Sequence, residues 1–507
     1  MKLKPLLLSL LGLLATPFLP AAVTLDVENA DPFEIPGEEK EGAYQRAYRE
    51  FKEGNFAKAE AFAQEAVDSG TPAGYFILGW LHEKGLGRPV DFDAALQYYR
   101  KGHEEGFSMT SLRTGILLVN STGPDQEAHR TEGRKILAAI NSESAPLAQL
   151  ILGKSHALGF FSEEPDFETA LAHLNRSIKD GNQEALIFKA GLLEGQHNYP
   201  KTDHSASIAA YEQAAALGNQ EAIIAAGTRR LSGPEAIRDE KKGLKWLGDL
   251  ADQGDALANY YLGNHYAVVR KDYGKAIAYL TTSAEKDTPQ AHYLLGLLHQ
   301  SGMGTPVSEE KAIERYEKAA KFGHLQAAHN LARIFLAQED KNTRHLNIKK
   351  GYQYLAYAAS QLPDAQAELG VLYLSGQLGA KDLTAAAAWL EKAARAGQAT
   401  AQNNLAALYE SGNGVPQNLT NAWNLYSLSA NQGHLSAMTA LGRLTATGQG
   451  TEKNIPLAWA YFSLAAERKD EAASRLLSQL TPLLSEEQLA EAKNALLGLK
   501  SPKKAKK

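Results

Sequence analysis

Gly153-Lys154-Ser155 ends like a phosphate-binding loop, in which glycine, lysine and hydroxyl are brought together so that backbone N–H groups and an ammonium converge on phosphate. The position five before Gly153 is Ala148 rather than glycine, and no strand pattern precedes it, so the setting that would aim those groups is missing. The 14 histidines are the next candidates. A helical zinc-hydrolase site needs two histidines one turn apart with a glutamate between them, and His82-Glu83 and His103-Glu104-Glu105 lack the second histidine. His82, His156 and His299 each stand three residues after a glycine, a slot filled elsewhere by Tyr266, Phe335, Tyr373 and Tyr409. That exchange predicts ring packing rather than metal ligation. Glu163, Glu164 and Asp166 read as a solvated turn, with a weak cation site as the alternative, because calcium-loop ligand spacing is absent. No serine sits in a G-x-S-x-G elbow, and a cysteine count of 0 removes thiolate nucleophiles, disulfides and thiolate-bound zinc. No catalytic, cofactor-binding or metal-binding residue is assigned, and the chain reads as non-enzymatic.

What positions these side chains follows from the rest of the 507 residues. An apolar content of 44% with 22% charged residues is that of a folded chain, and excludes disordered, collagenous and multi-spanning membrane classes. Lys+Arg 53 against Asp+Glu 58 gives a net charge of −5, which offers no global attraction for nucleic acid. Lys2 and Lys4, an apolar run from Leu6 to Ala15, then Pro17, Pro20 and Ala21-Ala22 have the order of a secretory signal peptide over residues 1–22, cleaved near residues 20–22. No other apolar run is long enough to span a bilayer, and without cysteine there is no lipid-attachment box. The expectation is an exported protein without stable membrane insertion, in the bacterial periplasm or secreted. Sequons at Asn120, Asn175 and Asn418 keep a eukaryotic secretory compartment as the alternative.

Small residues ending short apolar runs recur at Gly79, Gly115, Gly153, Gly191, Gly227, Gly263, Gly296, Ala332, Gly370, Ala406 and Gly442, with spacings of 33 to 38 residues. Eleven such landmarks diagnose a solenoid of two-helix repeats. In one unit Ala401, Leu405, Ala406, Leu408 and Tyr409 share a helical face, Gly412, Gly414, Val415 and Pro416 break the helix, and Ala422, Trp423, Tyr426 and Ala430 stripe a second helix before Gly433. The preceding unit repeats the plan from Ala365 to Gly397. Small residues at a fixed place suggest a point where antiparallel helices approach closely.

The order AxxxLGxxYxxGxG, then AxxW and AAxxG, resembles the Sel-like repeat (SLR) family, the tetratricopeptide-related two-helix repeats. The match is specific at residues 291–323, 365–397 and 401–433, and looser at 111–142 and 327–360, where key glycines are missing. The resemblance implies an all-α fold, a right-handed α-solenoid of about eleven Sel-like repeats over residues 73–470. Around it the sequence suggests an acidic flexible leader at 23–42, a tetratricopeptide-like hairpin at 43–72, capping helices at 471–500 and a basic tail at 501–507.

The family resemblance further implies a scaffold, as in envelope assemblies of bacteria and protein quality control in eukaryotes. The absence of cysteine separates this chain from the cysteine-rich secreted branch credited with cell-wall chemistry. The functional expectation is an exported adaptor that binds unidentified protein partners on the concave face, lined by the first helix of each unit. A binder of cell-wall glycan or peptide fragments is the alternative, and a secretory-pathway quality-control adaptor the third reading. Phe76, Trp80, Tyr260, Asn264, Tyr293 and Asn403 flank the landmarks and are the candidate partner-binding residues, with packing between adjacent units as the competing role for Trp80 and Tyr260.

Overall fold

The computed structural model describes residues 42–119, 121, 125–140, 146–159, 164–337, 347–377 and 379–500. The expected signal peptide, nearly all of the leader, Glu163 and the basic tail lie outside the described residues. Among those described, every regular element is helical. The chain forms two compact units, the first ending at Leu262 and the second beginning at Gly263.

The first unit runs through α1 (Ala43–Lys52), α2 (Phe56–Asp68), α3 (Ala73–Lys84), α4 (Phe92–Glu104), α5 (Ser108–Val119), α6 (Gln126–Ala139), α7 (Pro146–Ala157), α8 (Phe167–Lys179), α9 (Gln183–Leu193), α10 (His204–Ala216), α11 (Gln220–Ser232) and α12 (Glu240–Ala251). The division falls within α13 (Ala256–His265). The second unit continues with α14 (Tyr273–Ala284), α15 (Pro289–Ser301), α16 (Glu309–Lys321), α17 (Leu325–Leu336), α18 (Ile348–Ala358), α19 (Pro363–Ser375), α20 (Leu383–Arg395), α21 (Ala399–Ser411), α22 (Leu419–Asn431), α23 (Leu435–Thr447), α24 (Ile455–Ala466), α25 (Glu471–Leu480) and α26 (Glu486–Lys500). Within each unit consecutive helices pair into repeats and each repeat packs on the next, so the fold is an all-α solenoid.

The landmark glycines have a steric cause, and it differs from the one expected. The facing helix is not small there. It places a large side chain where the glycine Cβ would be: a Cβ built on Gly79 would lie 2.4 Å from the ring of Tyr99, on Gly263 2.6 Å from Leu280 Cγ, on Gly370 2.7 Å from Leu390 Cγ, and on Gly442 2.7 Å from the ring of Phe462. Real carbon contacts do not reach such distances, so the paired helices approach as they do only with hydrogen at that position. The looser units obey the same rule. Gly115 receives Leu137, and in the unit where Ala332 replaces glycine the small residue has moved to the second helix, with Gly351 against Leu336 Cγ at 2.6 Å from its virtual Cβ.

Helix starts are fixed by side chains that the periodicity did not single out. Asp91, Asp166, Asp203, Asp239, Asp272, Ser308, Asn347, Asp382, Asn418 and Asn454 each precede the second helix of a repeat and accept a backbone N–H three residues on. Each such cap satisfies one of the orphan donors of the first turn, a contribution of about 1 kcal/mol. At the other end of α21, Gly412 takes a left-handed φ of +72° and Gly414 one of +74°, where a Cβ would lie 2.3 Å from the carbonyl oxygen of Leu383. The turn therefore needs glycine for conformation at the first position and for space as well at the second.

The shortest landmark spacing, 33 residues from Gly263 to Gly296, coincides with a π turn at Tyr266–Arg270 that closes on Lys271 at φ +55°. Widening the last turn absorbs the missing loop residues and delivers the chain to Asp272 in time to cap α14. Repeats are joined by side-chain bonds to the ends of preceding helices: Asn259 Nδ2 donates to the Ala251 carbonyl at 3.2 Å, Gln366 Nε2 to Ala359 at 3.0 Å, and Gln402 Nε2 to Ala394 at 3.2 Å.

Candidate functional site

Four of the six nominated side chains are interior. Phe76 is fully buried, stacked on Trp80 at 5.6 Å and tilted against Tyr99 at 5.9 Å. Trp80 lies beneath Arg113, whose guanidinium carbon is 4.1 Å from the ring centre. Tyr293 is buried between His324, stacked at 4.3 Å, and Tyr316 at 5.9 Å. Tyr260 packs against Tyr261 at 5.0 Å, and burial pushes its hydroxyl up to about 12. Asn264 and Asn403 are half-buried, and Asn403 Nδ2 is bonded to Asn404 Oδ1 at 3.2 Å. The expectation that the large aromatics stand clear of core duty is thus corrected: Phe76, Tyr260 and Tyr293, three positions before their landmarks, and Trp80, one after its own, are packed in the interior. Phe76 and Trp80 are brought together; neither contacts Tyr260.

The residue after the landmark behaves differently along the chain. In the first unit Trp80, Ile116, Lys154 and Leu192 occupy this register and are buried, and Thr228 is half-buried. In the second unit Asn264 is half-buried and Leu297 buried, and from α17 onward the occupants Arg333, Val371, Ala407 and Arg443 are all exposed. The first helices α17, α19, α21 and α23 therefore present an accessible row of small and cationic side chains. Beside it, two positions before each landmark, stand the half-buried Asn330, Glu368, Asn404 and Ala440. An open depression of about 250 Å³, lined by Ser436, Thr439, Ala440, Arg443, Asp470 and Ala472, adjoins the Arg443 end. Residue type alone does not mark the row in this register, because Lys154, Thr228 and Asn264 are polar without being exposed and Val371 is apolar and exposed.

Charges on the first helices are organised by junctions between repeats. Glu83 accepts the Tyr99 hydroxyl from its own second helix at 2.8 Å and Arg113 Nη1 from the next first helix at 3.4 Å, with both charged groups buried. Glu410 accepts the Tyr426 hydroxyl at 3.0 Å and pairs with Arg443. Burial and the adjacent Glu410 carboxylate push the Tyr426 phenol well above its ordinary range. Glu194 pairs with Arg229, whose guanidinium also lies over Tyr211 at 4.4 Å. Lys154 is nearly buried, paired with Glu184 and 5.6 Å from the ring centre of Phe188. It sits inside α7 and is aimed at a carboxylate, an arrangement unlike a phosphate cradle. Burial, with the Glu184 carboxylate adding to it, raises Glu221 above the usual carboxylate range.

The histidine slot is a ring-packing position. His82 stacks on Tyr98 at 5.4 Å, His156 on His173 at 5.5 Å, Tyr266 on Tyr279 at 5.6 Å and Phe335 on Tyr354 at 6.0 Å, each across one helix pair. Among the described residues no group of three or more histidines and carboxylates is placed to hold a metal ion, and no helix is long and apolar enough to cross a membrane.

The Sel1 repeat pattern matches ten stretches: residues 72–107, 146–182, 187–219, 221–255, 256–287, 289–324, 325–361, 363–398, 399–434 and 435–470. Residues 108–145 fall outside the match, although α5 and α6 form a helix pair there. An uncharacterized protein of Neisseria meningitidis serogroup B is 27% identical over 248 residues, covering 49% of this chain and 50% of that protein. Chitin synthase regulatory factor 3 of Schizosaccharomyces pombe is 20% identical over 291 residues, covering 54% of this chain and 30% of that protein. The chain thus spans half or less of the length of these curated relatives. A protective antigen of uropathogenic Escherichia coli with an SLR fold is structurally similar, with a TM-score of 0.51 at 23% identity over 87% of this chain and 94% of the antigen. That likeness concerns the fold.

Proposed function

Because the chain belongs to the Sel1 repeat family, whose members are generally protein-interaction scaffolds, we propose that it is a non-enzymatic scaffold holding protein partners on the first-helix face of its second unit. The observation that carries this reading is the exposed row Arg333, Val371, Ala407 and Arg443. Its members project from rigid helices whose packing is completed by other registers, which leaves Arg333, Val371 and Ala407 open to recognition, while Arg443 is paired with Glu410. Small side chains at Val371 and Ala407 let a partner backbone approach, while the flanking arginines offer planar, charged hydrogen-bond donors. Burial of Phe76, Trp80, Tyr260 and Tyr293 withdraws the aromatic ribbon on which a sugar-binding reading depended.

The charged and apolar order of Lys2 to Ala22 supports export, and with it a reading in which the partners belong to a bacterial envelope or lie outside the cell. Photo-crosslinking residues introduced in place of Val371 and Ala407 in the full chain, expressed in its own cells, test both parts. Discrete protein adducts from these two positions, absent from a control at the exposed Leu217, are expected. Adducts equal at all three positions, or none, would refute the scaffold face. Recovery of the adducts with an intact first residue from the cytoplasmic fraction would refute export alone.

A further inference from the structure

Two junctions in the second unit have the same architecture and differ in one charge. At the junction of α21, α22 and α23, Tyr426 donates its hydroxyl to Glu410, four residues after the landmark Ala406, and Glu410 pairs with Arg443, one residue after the landmark Gly442. At the junction of α15, α16 and α17 the same three registers hold Tyr316, Gln300 and Arg333. Tyr316 donates to Gln300 Oε1 at 2.7 Å, so the neutral amide reproduces the hydrogen bond of its counterpart. It does not reproduce the negative charge. Arg333 is exposed and, among the described residues, has no hydrogen-bond or ion-pair partner, whereas Arg443 is held by its carboxylate. The carboxylate that the following first helix brings to this face, Glu368, is already bonded to His329 Nε2 at 2.7 Å. Asn330, one turn before Arg333, lies against the hydroxyls of Tyr293 and Tyr316.

We infer that this junction is the anchoring point for a carboxylate side chain of an extended, acidic segment of a partner protein, with Arg333 taking from the partner the counter-charge that Gln300 does not supply. The inference rests on the scaffold reading and makes it specific: the partner is acidic where it crosses α17, and its chain continues over the small residues Val371 and Ala407. A guanidinium presents two parallel N–H donors to a carboxylate, so the anchor carries direction as well as charge. Charge complementarity of this kind also speeds encounter and is sensitive to salt.

The internal comparison supplies an unusual test, since the charge can be moved without altering shape. Binding of a fluorescein-labelled, glycine-spaced glutamate peptide to the full chain is measured by anisotropy at low and high salt, beside its glutamine twin and vesicles of phosphatidylglycerol. The wild-type chain is expected to bind the glutamate peptide over the glutamine one, and less tightly at high salt. Arg333→Gln should weaken binding about fivefold, the equivalent of one exposed but well-formed ion pair. Gln300→Glu should weaken it by a similar factor while Arg333 is still present, because the new carboxylate captures the guanidinium as Glu410 captures Arg443. Glu410→Gln should strengthen binding by freeing Arg443.

Wild-type binding in both Arg333→Gln and Gln300→Glu, no preference for the glutamate peptide, or binding to vesicles in place of peptide would overturn the inference. Repeating the crosslinking at Val371 and Ala407 in the Arg333→Gln background separates the two claims. Persisting adducts with an unresponsive peptide sink the acidic anchor alone, and the loss of adducts in the wild-type background sinks the scaffold reading beneath it.

Discussion

Replacing Gly370 and Gly248 by alanine should move stability in opposite directions. Both lie inside helices, α19 and α12, and the intrinsic helix preference favours alanine over glycine by about 1 kcal/mol at either site. Their surroundings differ. The Cβ added at Gly248 meets nothing within 4 Å, so Gly248→Ala should stabilise by up to about 1 kcal/mol. The Cβ added at Gly370 would lie 2.7 Å from Leu390 Cγ, 2.9 Å from its Cδ2 and 3.3 Å from the Ala386 carbonyl oxygen. Leu390 is fully buried, and its Cγ is a branch point that cannot swing aside without moving the whole side chain. Overpacking of this kind costs about 1–3 kcal/mol, which outweighs the gain in helix preference. Because a repeat array need not unfold in one step, amide exchange localised to α19 and α20 is the suitable readout, with urea unfolding as support. Gly370→Ala should lose protection in those two helices, and Leu390→Val should restore part of it in the double variant. Equal stabilisation by both alanines would refute the claim that the landmark glycines exist to admit a side chain from the facing helix.

Arg113→Leu should destabilise the first unit by about 3–5 kcal/mol, because it strands the buried Glu83 carboxylate, and the added change Glu83→Gln should recover much of the loss in urea unfolding. His324 accepts the Ala327 N–H at the start of α17 and stacks on Tyr293, and burial lowers its imidazole from 6.5 to about 4. The unfolded chain therefore binds more protons than the folded one between these values, so the neutral ring's contribution is complete above pH 6.5 and lost as the pH falls to about 4. His324→Asn, which retains a capping acceptor, should flatten that part of the stability–pH curve by about 2–3 kcal/mol, and an unchanged slope would count against burial as the cause. Asp382→Ala should cost about 1 kcal/mol and fray the first turn of α20 in amide exchange, while Asp382→Asn should not.

The repeat was legible because its cause is local and absolute: a helix pair that crosses over Leu280, Leu390 or Phe462 needs a glycine opposite, and such glycines mark time along the sequence. The histidines of the ring slot were legible for a related reason, since Tyr266 and Phe335 in the same register showed what shape was wanted. The burial of Phe76, Tyr260 and Tyr293 was not legible because aromatic size serves contact and core equally well, and only the position of the next repeat decides between them. Residue type one position after each landmark does not settle exposure either, because Lys154 is charged and buried while Val371 is apolar and exposed. Second-helix caps such as Asp203 and Asn454 escaped notice because loops are rich in polar residues and a cap is defined by the N–H it meets. The ion-pair partners were beyond reading, since Glu410 and Arg443 stand 33 positions apart and only register, not sequence nearness, joins them.

The bonds from Gln366 to the Ala359 carbonyl and from Gln402 to that of Ala394 use one grammar at successive seams, and each reaches only the adjoining repeat. A seam of that sort does not record how many modules lie on either side. The length of such an array is therefore a heritable variable that duplication or excision of a whole module can alter without redesigning any surface, so the reach of the protein and the number of its docking stations can evolve separately from the strength of its joints.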